Sequence, residues 1–259
     1  MSNSFYHERY SLTKRQEEVI APLLPAPKAT ERPGLNSLKV FNAILWILSS
    51  GAPWRDLPAH FGNWNSICHK FRQWCAQKVF ENILKVMVAD TDKYLLVQID
   101  STFCKVHQHA AGGARKILGN QAIGASRGGK NTKIHALVTE NFQLIGLLFN
   151  GGHIHDSECA VELLSKVINL EGKTVLGDRA FSSSQIRDFI QAQKAKVCIP
   201  DKVNSVIRHP FDRELYKARN IVERFFLRIK NHRHIATRYD KLLSCFENFI
   251  LLASIMIQI

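Results

Sequence analysis

Tyr216–Lys230 reads YKARNIVERFFLRIK. Neither proline nor glycine interrupts it, and its apolar residues recur at Ile221, Val222, Phe225, Phe226 and Ile229. That spacing predicts a helix with one broad buried stripe. Arg219, Glu223 and Lys230 stand at relative positions 0, 4 and 11, so a regular helix returns them to one face. Tyr216 lies just upstream. A carboxylate is therefore flanked by cations on one side of the helix. Taken alone, the same pattern describes a solvated face with an i,i+4 ion pair.

Two aspartates upstream bear on that choice. Tyr94–Ile99 (YLLVQI) predicts a short apolar strand running into Asp100, and Thr174–Leu176 a second strand ending at Gly177, Asp178 and Arg179. An acid at the end of a buried strand stands at the sheet edge, where sites of α/β folds collect. Aspartate is also a common turn former there. Between them lie predicted strands at Lys133–Thr139 and Leu144–Asn150 and a helix from about Ser157 to Ile168, with Asp156 or Ser157 as its N-cap. After Asp178 come a helix (Ser183–Gln193) and a fifth strand (Ala195–Pro200). Three early strands in succession read as antiparallel neighbours, and the later βαβ alternation as parallel.

The first 92 residues read as all-helical. Helices are expected at 11–24, Asn36–Ser50, Trp64–Gln77 and Val79–Ala89, with a proline-rich connector PAPKATERPG. Two helices joined by a turn, the second presenting Lys70 and Arg72 outward, have the parts of a helix-turn-helix, although helical bundles often show such faces. The composition shifts after Asp92, so domains of 1–92 and 93–259 are expected. The last helix is placed at Leu242–Ile257.

Charge narrows the partner class. Thirty-five Lys and Arg against 22 Asp and Glu give +13, with pI about 9.6, an excess that favours polyanions, nucleic acid first. The basic residues are spread along the chain, which argues against a membrane-surface helix, and the longest apolar run, Phe249–Ile257, is too short to span a bilayer. The six cysteines form no C-x-x-C pair, and the first residues carry no apolar signal region, as expected of reduced cytosolic thiols. A glycine-rich basic stretch holds His107, His109, Gly112, Gly113, Arg115, Lys116, Arg127, Lys130 and Lys133. It lacks the phosphate-loop and dinucleotide patterns, so no nucleotide cofactor is expected, and a flexible loop meeting DNA phosphates fits better. His153 and His155 together with His107 and His109 could gather zinc, but no fixed spacing supports it. Asp156 reads as structural, with an auxiliary acid near the site as the alternative.

The gaps in Tyr216–Arg219–Glu223–Lys230 resemble, one for one, the Y-R-E-K signature of DDE transposases from bacterial insertion sequences. The runs SSGAPWRDLPAHFGNWNSICHKFRQW and HQHAAGGARK…QAIGASRGGKNTKIHAL resemble other segments of that family. The resemblance implies an α/β fold: an RNase H-like mixed sheet flanked by helices, preceded by a small helix-turn-helix-like region. In that fold the first acid ends the first strand, the second follows the fourth strand, and the third lies on a helix after the fifth. Asp100, Asp178 and Glu223 match those places and are implied to be the catalytic, metal-binding acids. Tyr216, Arg219 and Lys230 are implied to contact DNA phosphates, and Arg224, Arg233 and Arg238 are cations able to neutralise phosphates as well.

The residue types suit phosphodiester chemistry. Two hard cations can clamp the attacking and leaving oxygens of an in-line displacement, and Mg²⁺ prefers carboxylate oxygens. Two Mg²⁺ ions are therefore expected, with Mn²⁺ as a substitute. Double-stranded DNA, both element ends and target, is the expected partner. A homodimer is expected on DNA, because two ends must be joined, and the expected setting is the bacterial cytoplasm, at the nucleoid. Only 45 residues (223 − 178) separate Asp178 from Glu223, so the large β-rich insertion that some relatives carry there is missing. The rival readings are a structure-specific nuclease that hydrolyses without joining, and a DNA-binding protein with an inert catalytic remnant.

Overall fold

The computed structural model describes residues 10–26, 35–88, 94–112, 119–167 and 169–259. Gly113, Arg115 and Lys116, most of the proline-rich connector and the expected boundary at 92/93 lie outside the described residues. The chain divides into two compact units, one of Met1–Met87 with Ile229–Ile259, the other of Val88–Arg228. The composition shift near residue 92 gave no sign that the last thirty residues group with the first unit.

The first unit is helical. Thr13 caps Lys14–Ile20 through a capping box with Gln16, and Asn36 caps Ser37–Ser50, which Gly51 ends in the left-handed conformation at φ 68°. Trp64–Ala76 and Val79–Met87 follow. The connection from 51 to 63 holds two 3-10 turns, Trp54–Asp56 and Ala59–Phe61, and is longer than the turn of a compact helix-turn-helix. The core is aromatic. Phe71 lies 4.6 Å from Phe249 of the Leu243–Gln258 helix, and Trp74 meets Phe80 edge-on at 6.0 Å.

The second unit is built on a mixed sheet of β1 (Leu96–Val106), β2 (Gly124–Ser126), β3 (Gly129–Thr139), β4 (Leu144–Gly151), β5 (Thr174–Leu176) and β6 (Lys196–Cys198). The order runs β2-β3-β1-β5-β6, with β4 also on β3. β1, β3 and β4 are antiparallel neighbours, and β5 and β6 run parallel to β1. This is the mixed, helix-flanked arrangement the sequence implies. On one face Val97, Ile99, Leu137 and Val175 pack beneath Leu163, Leu164, Ile186 and Ile190 of the helices Asp156–Leu164 and Ser184–Ala192.

Two local expectations are corrected. β1 does not stop at Asp100 but continues to Val106, because β3 supplies partners as far as Lys105. Among the described residues of the glycine-rich stretch, Gly124–Ser126 pairs with Gly129–Asn131 as a hairpin, so Arg127 stands at a tight turn and Lys130 and Lys133 lie in a strand.

Candidate active site

The parallel half of the sheet sets the first two acids side by side. β1 pairs with β5 only from Leu96 to Gln98, and Gln98 is level with Leu176. Two residues beyond each stand Asp100 and Asp178. Seen from β5, then, Asp100 does lie past the end of the pairing, although its strand continues. The residue before each acid makes a close contact. A Cβ at Gly177 would lie 2.9 Å from Ile99 Cγ2, so only glycine lets the end of β5 approach β1 this closely.

The third acid arrives on a helix that is less regular than the sequence predicts. Arg213–Tyr216 is a short α turn, Lys217–Arg219 a 3-10 turn, and the α-helix proper is Asn220–Lys230. Its apolar stripe is as read, with Val222, Phe225, Phe226 and Ile229 buried. Side chains alternate along a strand, so Gln98 and Asp100 share one face, opposite that of Val97 and Ile99. Gln98 is fully buried, and its Oε1 accepts the Val222 N–H at 3.1 Å. The helix start, with Glu223 next to Val222, is thus tied to the strand that carries Asp100. Sequence reasoning missed Gln98. Its signal was a lone amide inside an apolar strand.

The Asp100 carboxyl senses its surroundings. Asp100 is pushed up to about 6, first by burial, with Asp178 and Glu223 adding repulsion against the opposing pull of the Ser101 N–H and Arg219. Asp100 Oδ1 accepts the Ser101 N–H at 2.8 Å, and Asp178 Oδ1 accepts the Ala180 N–H at 2.8 Å as the cap of a 3-10 turn. Arg219 donates to Glu223, whose carboxylate is 46% exposed, and its guanidinium lies 5.8 Å from the Tyr216 ring. Tyr216 is half-buried against Phe211, and its hydroxyl is raised, mainly by burial.

Three carboxylates suit a hard divalent cation, which would relieve the repulsion felt at Asp100. Among the described residues no three acidic, histidine or cysteine side chains already stand within metal-holding range. The three acids share a neighbourhood, and Glu223 is paired with Arg219. The same observation leaves His107, His109, His153 and His155 without a zinc cluster.

The expected DNA contacts separate by exposure. Arg127, Lys130, Arg72, Arg224 and Arg233 are exposed, and Lys70 and Lys230 are half-buried. Arg224 and Arg228 lie over the Phe142 ring at 5.2 and 4.2 Å. Arg238 is fully buried, with Nε donating to the Asp240 carbonyl at 3.0 Å. Lys133 is also buried. Its ammonium bonds the Ile154 carbonyl at 2.7 Å and lies 3.2 Å from Asp156. Neither of these two cations faces solvent. Asp156 is the first residue of its helix, not its cap, and also accepts the Ser101 hydroxyl at 2.6 Å. Ser101 alternates with Asp100, so Asp156 works on the opposite face of the sheet from the acids. Its partners there are Lys133 and Ser101.

Comparison with known proteins agrees with this geometry. The family described as transposase DDE domain matches residues 91–257, and the putative transposase of IS4/5 family matches 12–84. A putative transposase for insertion sequence element IS6501 of Brucella ovis is 36% identical over 129 residues, covering 49% of this chain and 96% of that protein. An uncharacterized Sinorhizobium fredii protein is 35% identical over 88 residues, 34% of this chain and 70% of that one. A Mos1 transposase paired-end complex with left transposon end aligns over 87% of this chain and 82% of that one, at 12% identity and a TM-score of 0.29. With two acids just beyond the paired ends of β1 and β5, a third on the helix after β6 and a family match over residues 91–257, the chain belongs to the DDE transposases.

Proposed function

We propose that this transposase binds the ends of an insertion element and catalyses divalent-metal-dependent cleavage and strand transfer, with Asp100, Asp178 and Glu223 as the metal-binding acids. The observation that carries the reading is the register that sets Asp100 and Asp178 side by side, with the Gln98–Val222 bond tying the Glu223 helix to the same strand; burial and the neighbouring charges push the Asp100 carboxyl up to about 6. A folded protein keeps such a cluster at a cost, and clusters of this kind gather at functional sites. Bound Mg²⁺, or Mn²⁺ in its place, would stabilise the oxygens that attack and leave phosphorus.

The chain's own residues do the rest. Asp100 and Asp178 each fix one oxygen on a backbone N–H and keep the other turned from that bond. Gln98 holds the start of the Glu223 helix against β1. Arg219 lies beside Glu223, where it can meet a phosphate once the carboxylate turns to the other acids. Tyr216 beside Arg219 would bound the same phosphate. Exposed Arg127, Lys130, Arg72, Arg224 and Arg233 would neutralise the duplex backbone, as would half-buried Lys70 and Lys230. Two ends must be brought together, so the working form is a homodimer on DNA, acting in the bacterial cytoplasm at the nucleoid.

The test is to incubate the protein with Mg²⁺ and a labelled duplex carrying the flanked end of its own element, beside Glu223→Ala. A 3′-end nick from the wild type alone supports the reading, and joined products with a target plasmid separate a transposase from a nuclease. Binding without a nick from either protein would overturn the catalytic assignment and favour an inert remnant.

A further inference from the structure

Between β6 and the Glu223 helix the chain makes a loop whose ends are fastened together. Asp201 Oδ2 accepts the His209 N–H at 2.6 Å. Asp201 Oδ1 accepts from Arg187 Nη2 at 2.8 Å and lies 3.0 Å from His209 Nδ1. Within the loop, Arg208 donates to the carbonyls of Lys202 and Val203 at 3.1 and 2.7 Å, and Ser205 Oγ donates to the Ile207 carbonyl at 2.7 Å. This fastened loop presents aliphatic side chains to water: Val203 is 67% exposed, Val206 97% and Ile207 67%. Single apolar residues on a surface need no explanation, but three within five positions on one tied loop do.

Its place in the fold suggests what covers it. β6 runs parallel to β5, and Cys198 is level with Leu176. Pro200 is therefore level with Asp178, and the loop springs from the same sheet edge as the two aspartates. It returns through Phe211, which packs against Tyr216. The exposed charges of the loop, Lys202 and Arg208, are positive, while its acid, Asp201, is consumed within. An apolar tip between cations complements a duplex, whose backbone is anionic and whose base steps are apolar. A symmetric contact with a second copy would instead set Lys202 and Arg208 against their own images.

We propose that the Asp201–His209 loop is a wedge that enters the bound duplex beside the candidate site and unstacks a base step with Val206 and Ile207. Apolar side chains inserted between base steps unstack and kink DNA, and the bend exposes backbone to further contacts. A phosphate to be cut would then be presented away from the regular helix. The inference rests on the reading of the protein as a DNA transposase and adds a named element to it.

The test uses the full chain in EDTA with duplexes carrying the end of its element, each with one 2-aminopurine in place of an adenine. Emission, which reports unstacking, should rise at one or two adjacent positions on binding, while anisotropy reports binding itself. Val206→Ser with Ile207→Ser, at solvent-exposed positions, should abolish the rise and weaken end binding about tenfold, the burial of two aliphatic side chains being largely offset by the cost of unstacking. Its melting temperature should match the wild type. Wild-type binding with flat emission at every position would overturn the wedge and leave the transposase reading intact. Absence of wild-type binding would sink that reading, and the wedge with it. If the double serine variant instead turned a DNA-free dimer into a monomer by light scattering, the loop would be a protein contact and the wedge would be wrong.

Discussion

The side-chain carbonyl of Gln98 accepts the backbone N–H of Val222 at 3.1 Å across 124 residues of sequence. Val222 lies in the first turn of its helix, where N–H groups have no partner within the helix. One buried amide thus serves a helix start and sets the carboxylate beside it over the strand that carries Asp100. Replacing Gln98 with Leu should leave that N–H buried and unpaired. The expected loss is about 1–3 kcal/mol in urea unfolding. Metal-induced thermal stabilisation should fall too, because Glu223 is then less well placed. A variant that unfolds like the wild type would show that the bond contributes nothing.

Gly177 should tolerate no side chain. The Cβ of Gly177→Ala would meet Ile99 Cγ2 at 2.9 Å, and Ile99 is fully buried in the sheet. Overpacking of this kind costs about 1–3 kcal/mol, read from the denaturation midpoint. Because the clash lies one residue before each aspartate, cleavage should fall further than stability alone explains.

Asp100→Asn should stabilise the metal-free protein in a pH-dependent way. The carboxyl is pushed up to about 6 in the folded state from 3.8. Between those values the folded protein holds a proton that the unfolded chain has lost, so stability falls as pH rises through that range and stays reduced above it. In EDTA the variant should gain on the order of 2–3 kcal/mol over the wild type at pH 8, and much less at pH 4. Equal gains at both pH values would refute the shift.

Asp156→Asn should behave as the loss of a buried ion-pair partner. Lys133 would remain buried with only the Ile154 carbonyl and, at 4.9 Å, the Phe103 ring. Leaving such a charge uncompensated costs about 3–5 kcal/mol, measurable by calorimetry. Exposed Arg127 and Lys130 predict the reverse. Changing either to alanine should leave the melting temperature unchanged and lower the salt dependence of DNA binding by about one phosphate contact each.

These contrasts show what the sequence could carry. Spacing along Tyr216–Lys230 marked the buried stripe and the Arg219–Glu223 pair, since both are local. The sense of the strands, three antiparallel and then two parallel, followed from apolar runs and their separations, while the Gly124–Ser126 strand did not. Lys133 looked like its exposed neighbour Lys130 because charge alone does not say on which face of a strand a side chain falls. Its burial depends on Asp156, 23 residues away, and on a helix laid over that face. The length of β1 was hidden for a similar reason. Asp100, Ser101 and Thr102 resemble a turn until β3 supplies their hydrogen bonds. Gly177 read as punctuation, whereas its role is steric and needs Ile99 to be seen.

The parallel pairing of β1 with β5 has a temporal consequence. Asp100 is synthesised 78 residues before Asp178 (178 − 100) and 123 before Glu223 (223 − 100). β3, β4 and the Asp156–Leu164 helix come between the first two acids, so contacts of long sequence separation must close before the carboxylates meet, a slow kind of folding step. A chain still on the ribosome therefore carries its acids apart, and a translation product that stops short of the Asn220–Lys230 helix lacks the third acid. On the proposed assignment the site is complete only once the Asn220–Lys230 helix has been made, after both strands that carry the other two acids.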